Sequence, residues 1–339
     1  MIGQGSCSFS AMGTLVYATW EPAGNVEEIQ RLIRQRVREL ENRLSIFKQT
    51  SQVVALSRIL DAGSEDILKK FRSSILHSSK IYTLAGSVEV GLENHDAGAE
   101  LLFRLEDILQ ANRFSSDLAR VMEAAVKFAN LTQGAFYPFL GRQMHDLKKL
   151  VAERADREFE LGDSIIDFGG IAKGYAADQV RDLVVSKGGK NVVVSFGSSS
   201  ISIAGDPVGV GLQSPWEGLE EFGHLLLTHP ALSVSADTAT RIGSGNRVSH
   251  VLDPSTGKPA FTDLAAVLVC TADGMECEAW ATAFLVLGLE RAMDLDVAQQ
   301  HIDTVFFTVD GRVLASPNLQ ITAHPGVQQW LEAQRVRTQ

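Results

Sequence analysis

The sequence predicts an α+β fold in which mixed, mainly antiparallel sheets are flanked by helices. Three observations lead there. In the second half of the chain NVVVSF, SISIAG, GVGLQ, HLLLTH, ALSVSA, RVSHVL and AAVLVCT follow one another as short β-rich runs. Asp310-Gly311 then sits between two further β-rich arms, TVFFTV and RVLAS, as a hairpin turn. Helical periods lie mainly outside this series, so consecutive strands prevail over strict strand-helix alternation and argue against a doubly wound parallel sheet.

Taken in order, Phe9 to Trp20 alternates apolar and polar residues and predicts a strand. From Asn25 to Phe47, Ile29, Ile33, Val37, Leu40, Leu44 and Phe47 recur on one face with Arg and Glu between them, which is the helical period. The stretch from about Gly63 to Phe114 has weaker periodicity and the acidic patch GLENHDAGAE, and reads as one or two helices joined by a variable loop. Asp117 opens another amphipathic helix, and Gly134 follows its end where a stop is expected. SIIDF is a short apolar run, GGIAKGYAADQVRDLVVSKGG a helix closed by Gly188-Gly189, and residues 275–287 a further helix. No Pro/Gly/Ser linker divides the chain, so residues 1–339 are expected to form a single domain with a variable segment at about 60–115.

Composition bounds the function. With 45% hydrophobic and 21% charged residues, the 339-residue chain is globular rather than disordered. Its 31 basic against 41 acidic residues give a net charge of −10 and no concentrated basic face, which argues against nucleic-acid binding. Any polyanionic ligand then needs a local site of a few cations, backbone N–H groups or a metal. Cys7, Cys270 and Cys277 are odd in number and lack C-x-x-C spacing, so reduced, buried thiols are expected. The N-terminus has no basic region followed by an apolar run, and no stretch approaches the length of a membrane span. The expected location is cytoplasmic, or periplasmic or membrane-tethered if a signal has been removed.

Three clusters could carry chemistry. Asp167-Phe168-Gly169-Gly170-Ile171-Ala172-Lys173-Gly174 places glycines at a strand-to-helix junction, where backbone can approach a ligand and the N–H groups of a new helix favour an anion. It matches neither the dinucleotide fingerprint nor the P-loop, and such junctions also serve simple packing. Ser249-His250-Val251-Leu252-Asp253-Pro254-Ser255-Thr256-Gly257 joins turn chemistry to a histidine beside a carboxylate. A lone histidine is more often structural, and Asp253 strengthens the general-base reading without deciding it. Glu278 and Thr282 stand four apart on a helix, a spacing that aligns two oxygen ligands suited to Mg²⁺.

These clusters occur in order with Phe9-Ser10-Ala11-Met12-Gly13-Thr14, Arg43-Leu44-Ser45-Ile46-Phe47 and EAWATAFLVLG. In that order the chain resembles the ApbE family of flavin transferases, which cleave FAD and attach FMN through a phosphoester to a Ser or Thr of a target protein. DFGGIAKGYAAD and SHVLDPSTG are the specific parts of the resemblance. It implies an ApbE-like, T-fold-like architecture, with FAD as substrate, Mg²⁺ as cofactor and an acceptor flavoprotein as partner. Met12, Phe47, Ala135, Phe136, Tyr137, Asp167, Lys173 and Val251 would contact FAD. His250 and Asp253 would be catalytic, the first as base and the second as its orienting group. The Ala172 carbonyl, Glu278 and Thr282 would hold the metal.

The chain departs from the family pattern in one pocket. Phe136-Tyr137-Pro138-Phe139 stands where Phe-Asp-Pro-Thr is usual, Gly197-Ser198 where Gly-Gly is, and Ser235-Ala236-Asp237 where Ser-Gly-Asp is. Glu278 replaces a metal-binding Asp, keeping the charge while reaching one methylene further. Two alternatives to transfer therefore remain: FAD hydrolysis to FMN and AMP, and flavin binding without turnover.

Overall fold

The computed structural model describes residues 4–22, 24–63, 65–76, 95–143, 165–236, 240–242, 246–248 and 251–327. An eight-stranded sheet dominates them, in the order β1-β2-β3-β4-β7-β12-β13-β14 with every neighbouring pair antiparallel. Its strands are β1 (Gly5–Ala11), β2 (Thr14–Glu21), β3 (Lys190–Phe196), β4 (Ser200–Ala204), β7 (Ala231–Ala236), β12 (Leu264–Thr271), β13 (Asp303–Thr308) and β14 (Val313–Ala315). A three-stranded sheet joins β5 (Val208–Gln213), β6 (Glu221–Leu227) and β15 (Gln320–Ala323). Two short ribbons complete the strands, β8 (Thr240–Ile242) with β9 (Asn246–Val248), and β10 (Leu252–Asp253) with β11 (Lys258–Pro259). The expected α+β class, with mainly antiparallel sheets, is the one found.

The large sheet buries both faces, and the period of two sorts its side chains. Val192, Val194, Phe196, Val267, Val269 and Phe306 pack into one core with the helices. Alternating with them, Ile201, Ile203, Leu232, Leu268, Cys270, Val305 and Phe307 pack into a second core against the three-stranded sheet. Burial on both sides is why NVVVSF and AAVLVCT read as continuous apolar runs although their sheet is antiparallel. All three cysteines are free and buried, as expected.

The helices are α1 (Val26–Leu44), α2 (Gln52–Gly63), α3 (Glu65–Leu76), α4 (His95–Ala111), α5 (Ser116–Leu131), α6 (Ala172–Ser186), α7 (Gly274–Leu287) and α8 (Leu289–Ala298). Among the described residues no helix is long and apolar enough to cross a membrane. Asn25 caps α1 by accepting from the Glu28 N–H, and the face predicted from Ile29 to Leu44 is the buried one. Asp117 knits three helices together. Its carboxylate accepts from Arg36 and Arg43 of α1 and from the Tyr175 hydroxyl of α6. Burial alone would raise the Asp117 pKa, but these donors hold it at about 2, while burial and the carboxylate push Tyr175 up to about 12.

Three local expectations change. Phe9 to Trp20 is part of a hairpin, because Met12 and Gly13 take φ of 51° and 72°, the left-handed pair of a two-residue turn. Residues 165–168 of the SIIDF run form no strand. RVSHVL is split, with Asn246–Val248 in one ribbon and Leu252–Asp253 in another, and 249–250 lying outside the described residues.

Asp296 ties α8 to β13 by accepting from the Thr304 hydroxyl, while its Oδ1 is buried without a partner among the described residues. Burial, reinforced by neighbouring Asp303 and opposed by Thr304, raises its pKa to about 6. A carboxyl raised in the fold favours folding fully below its unfolded value of 3.8, and that contribution is lost as pH rises through about 6. Asp296→Asn, which fixes the neutral form, should therefore raise the melting temperature at pH 8, with the gain vanishing near pH 4. Thermal denaturation across that range checks it, and a gain independent of pH would contradict it.

Candidate functional site

The site is organised by the meeting of two helix starts. A Cβ built on Gly174 would overlap the carbonyl of Gly274, and one on Gly274 would fall 2.5 Å from the Gly174 carbonyl oxygen, so α6 and α7 touch backbone to backbone. The contact is locked by Asp178. One of its carboxylate oxygens accepts from the Gly274 N–H at 2.7 Å, and the other from Ser202 at 2.6 Å and Arg181 at 2.8 Å. Burial raises the Asp178 pKa in spite of Arg181 and these donors. Asp273 caps α7 from the other side by accepting from the Glu276 N–H.

Ahead of α6, Asp167 folds the turn by accepting from the Gly169 N–H at 2.6 Å, and buried Phe168 anchors it through its carbonyl to the Ala172 N–H. Gly170 passes close to α7: a Cβ there would lie 3.2 Å from the Thr282 hydroxyl and 3.3 Å from the Phe136 ring. A side chain there would crowd both neighbours, so glycine eases this approach rather than supplying an unusual φ.

A cavity of about 700 Å³ opens beside this junction, within the ~300–1,000 Å³ usual for small-molecule sites. Lys173, Glu278, Thr282, Asp167 and the Gly169-Gly170 turn form its polar end. Its other walls come from Ala135-Phe136-Tyr137, the β3–β4 turn at Gly197-Ser198-Ser199, the inner edges of β5 and β7, and Val251-Leu252 with Pro254. At the polar end the Lys173 ammonium lies 2.8 Å from Glu278 Oε1, which also accepts from the Ser200 hydroxyl at 2.5 Å. Glu278 is 3% exposed, and its Oε2 is buried with no hydrogen-bond partner among the described residues. Thr282 and Ser235 hydroxyls stand 3.2 Å apart.

Of the residues singled out from sequence, Ala135, Phe136, Tyr137, Asp167, Lys173, Val251, Glu278 and Thr282 share this one cavity. Tyr137 stacks on Phe71 and meets Phe139 edge-on, and burial pushes its hydroxyl pKa up to about 12. Met12 and Phe47 do not line the cavity: Met12 sits at the hairpin tip with its N–H on Glu41, and Phe47 is half exposed after α1. Ala172 lies one residue behind Lys173 and is buried, outside the cavity wall. Asp253 is committed to its own turn, accepting from the Ser255 N–H and hydroxyl and from the Thr256 hydroxyl. His250 lies outside the described residues.

A family model described as the ApbE family matches residues 142–306. The FAD:protein FMN transferase of Treponema pallidum is 27% identical over 283 residues, 65% of this chain and 78% of that protein. Over residues 142–306 the chain is similar to the ApbE family. The Salmonella typhimurium protein of the same description is 30% identical over 154 residues, 43% of this chain and 44% of that one. The chain spans about half the length of most of the curated relatives it matches. Two ApbE structures share its fold: the flavin transferase of Vibrio cholerae, with a TM-score of 0.63 at 20% identity over 96% of this chain and 99% of that one, and the Thermotoga maritima ApbE protein, with 0.61 at 22% over 93% and 97%.

Sequence reasoning placed Ser198 and Ser235 in the pocket by resemblance, but missed the other serines and every serine contact. Ser200 touches Glu278, Ser235 touches Thr282, and Ser198, Ser199, Ser214 and Ser233 line the cavity. For Ser199, Ser200, Ser214 and Ser233 the signal was the run Ser198-Ser199-Ser200 and the serines interrupting apolar strands, which by themselves name no ligand. Among the described residues no three His, Cys, Asp or Glu side chains could hold a metal together. A divalent cation beside Glu278 would be held by that carboxylate with hydroxyl and carbonyl oxygens. That set suits a hard ion such as Mg²⁺, and the orphaned, buried Oε2 of Glu278 fits it.

Gly174→Ala should force the two helix starts apart and lower stability by about 1–3 kcal/mol. Gly209→Ala is the control, since a Cβ there meets nothing within 4 Å. Urea denaturation compares them, and equal stability of both variants with the wild type would contradict the close contact.

Proposed function

We propose that this chain binds FAD in the cavity and transfers its FMN part to a Ser or Thr hydroxyl of an acceptor flavoprotein, releasing AMP. The observation that carries this reading is the polar end of the cavity. There a backbone-lined glycine turn, the Lys173 ammonium and a buried carboxylate with one oxygen unpartnered among the described residues stand together at one end of a more apolar slot. A pyrophosphate flanked by two ring systems is a ligand of that shape and polarity. The names of the curated relatives, FAD:protein FMN transferases, support the same choice.

In this reading the aromatic wall of Phe136 and Tyr137 and the slot beneath β5 exclude water from the ring systems. Lys173 and the N–H groups at the start of α6 orient the phosphates. His250, next to Val251 of the cavity wall, takes the proton of the acceptor hydroxyl. The freed oxygen bonds to the FMN-side phosphorus as the bond from that phosphorus to the bridging oxygen breaks, and the electron pair leaves with AMP. Glu278, Thr282 and the Ala172 carbonyl would hold Mg²⁺, whose chemistry when bound is to screen the pyrophosphate and polarise the attacked phosphorus.

Incubating the pure protein with FAD, Mg²⁺ and a candidate acceptor, and following AMP together with the acceptor's mass, tests this directly. Transfer predicts AMP and a covalent FMN adduct in equal amounts, with His250→Asn lowering the rate by ~10²–10⁴-fold at little change in FAD affinity. AMP without labelled acceptor would make water the acceptor. Neither product would leave a flavin-binding protein, and full turnover by the His250→Asn variant would remove that residue from the mechanism.

A further inference from the structure

Lys173 and Glu278 meet because of the glycine contact. With α6 and α7 in backbone contact at Gly174 and Gly274, the residue before Gly174 and the residue one turn beyond Gly274 face each other across the junction. The Lys173 ammonium sits 2.8 Å from Glu278 Oε1 and donates to the Gly169 carbonyl at 3.0 Å. Its side chain is 25% exposed, whereas that of Glu278 is 3% exposed. The carboxylate is thus divided in use. Oε1 has two donors, Lys173 and Ser200, and Oε2 has none among the described residues.

We propose that Lys173 is the resident counter-cation of Glu278, occupying the carboxylate until a divalent cation displaces its ammonium and frees it toward the anionic ligand. The inference rests on the reading of Glu278 as a cation ligand. A buried carboxylate needs a positive partner, and Lys173 is the cation paired with it among the described residues. An ammonium and a divalent ion on the same carboxylate repel each other, so the two compete. Lys173, on a flexible stem with its head at the cavity, is the partner able to move. Once displaced it stands beside the glycine turn, where an anion would bind. Cation and anion then favour each other through one side chain, and by linkage the coupling is reciprocal.

The test is Mn²⁺ binding by the full chain without FAD, read by electron paramagnetic resonance and calorimetry. Lys173→Met, and likewise Lys173→Gln, should bind Mn²⁺ about tenfold more tightly than the wild type, within the range of ordinary site-to-site coupling. Glu278→Gln should lose the ion. Because removing Lys173 could unsettle the fold, a second measurement uses the wild type alone: acetylation of Lys173, followed by mass spectrometry, should increase when Mg²⁺ is added, while exposed Lys258 stays unchanged. Equal or weaker Mn²⁺ binding by the Lys173 variants, or acetylation of Lys173 indifferent to Mg²⁺, overturns the inference. If Glu278→Gln loses Mn²⁺ while either of those results holds, the counter-cation role fails and the transferase reading stands. Retained Mn²⁺ binding by Glu278→Gln would overturn the cation site and this inference together.

Discussion

The first turns of α6 and α7 press backbone against backbone at Gly174 and Gly274, and most of the site follows from that contact. It sets Lys173 beside Glu278, it brings Gly170 against Thr282, and it lets Asp178 receive the N–H that opens α7. Neither helix could come this near with a side chain between them. The large sheet beneath contributes Ser200 and Ser235 from adjoining strands, so the polar end of the cavity is held by helix and sheet at once. Rigid elements rather than long loops position these groups, which suits a site that must hold charges in fixed relation.

Around that junction the structure concentrates its electrostatic tension. A carboxylate buried to 3% exposure is tolerable because an ammonium and a hydroxyl reach one of its oxygens, while the other has no partner among the described residues. The Asp117 cluster solves a similar problem with permanent partners, two arginines and a tyrosine, and leaves nothing open. The contrast separates a carboxylate that fastens helices from one that faces a cavity.

Much of this was legible in the sequence, and the physical reasons for the rest are specific. The period of α1 and the run of strands behind the α+β class could be read because each is written in neighbouring residues. The strands could be located but not sorted by face, because Val267 and Leu268 are both buried, in different cores. The hairpin at Met12-Gly13 was hidden because alternation runs straight through it and only the backbone φ values betray the turn. Eight of the site residues expected from motif and resemblance share the cavity, whereas Met12 and Phe47 lie off it. Ser199, Ser200, Ser214 and Ser233 were missed because a serine gains meaning only from what it faces. Lys173 and Glu278 were each recognised, but their pairing depends on a helix contact that no local pattern encodes.

The central proposal is that Glu278 and Thr282 would hold a divalent cation at the polar end of the cavity, where the pyrophosphate of FAD would lie. A crystal of the protein grown with FAD and Mn²⁺, with anomalous scattering measured at the manganese edge, tests it most directly. The account predicts one anomalous peak within about 2–2.3 Å of Glu278 Oε2 and the Thr282 hydroxyl, as expected for a small hard ion, with the Lys173 ammonium moved from Glu278 to a phosphate oxygen. A peak elsewhere, with Lys173 still paired to Glu278 and FAD bound, would contradict it.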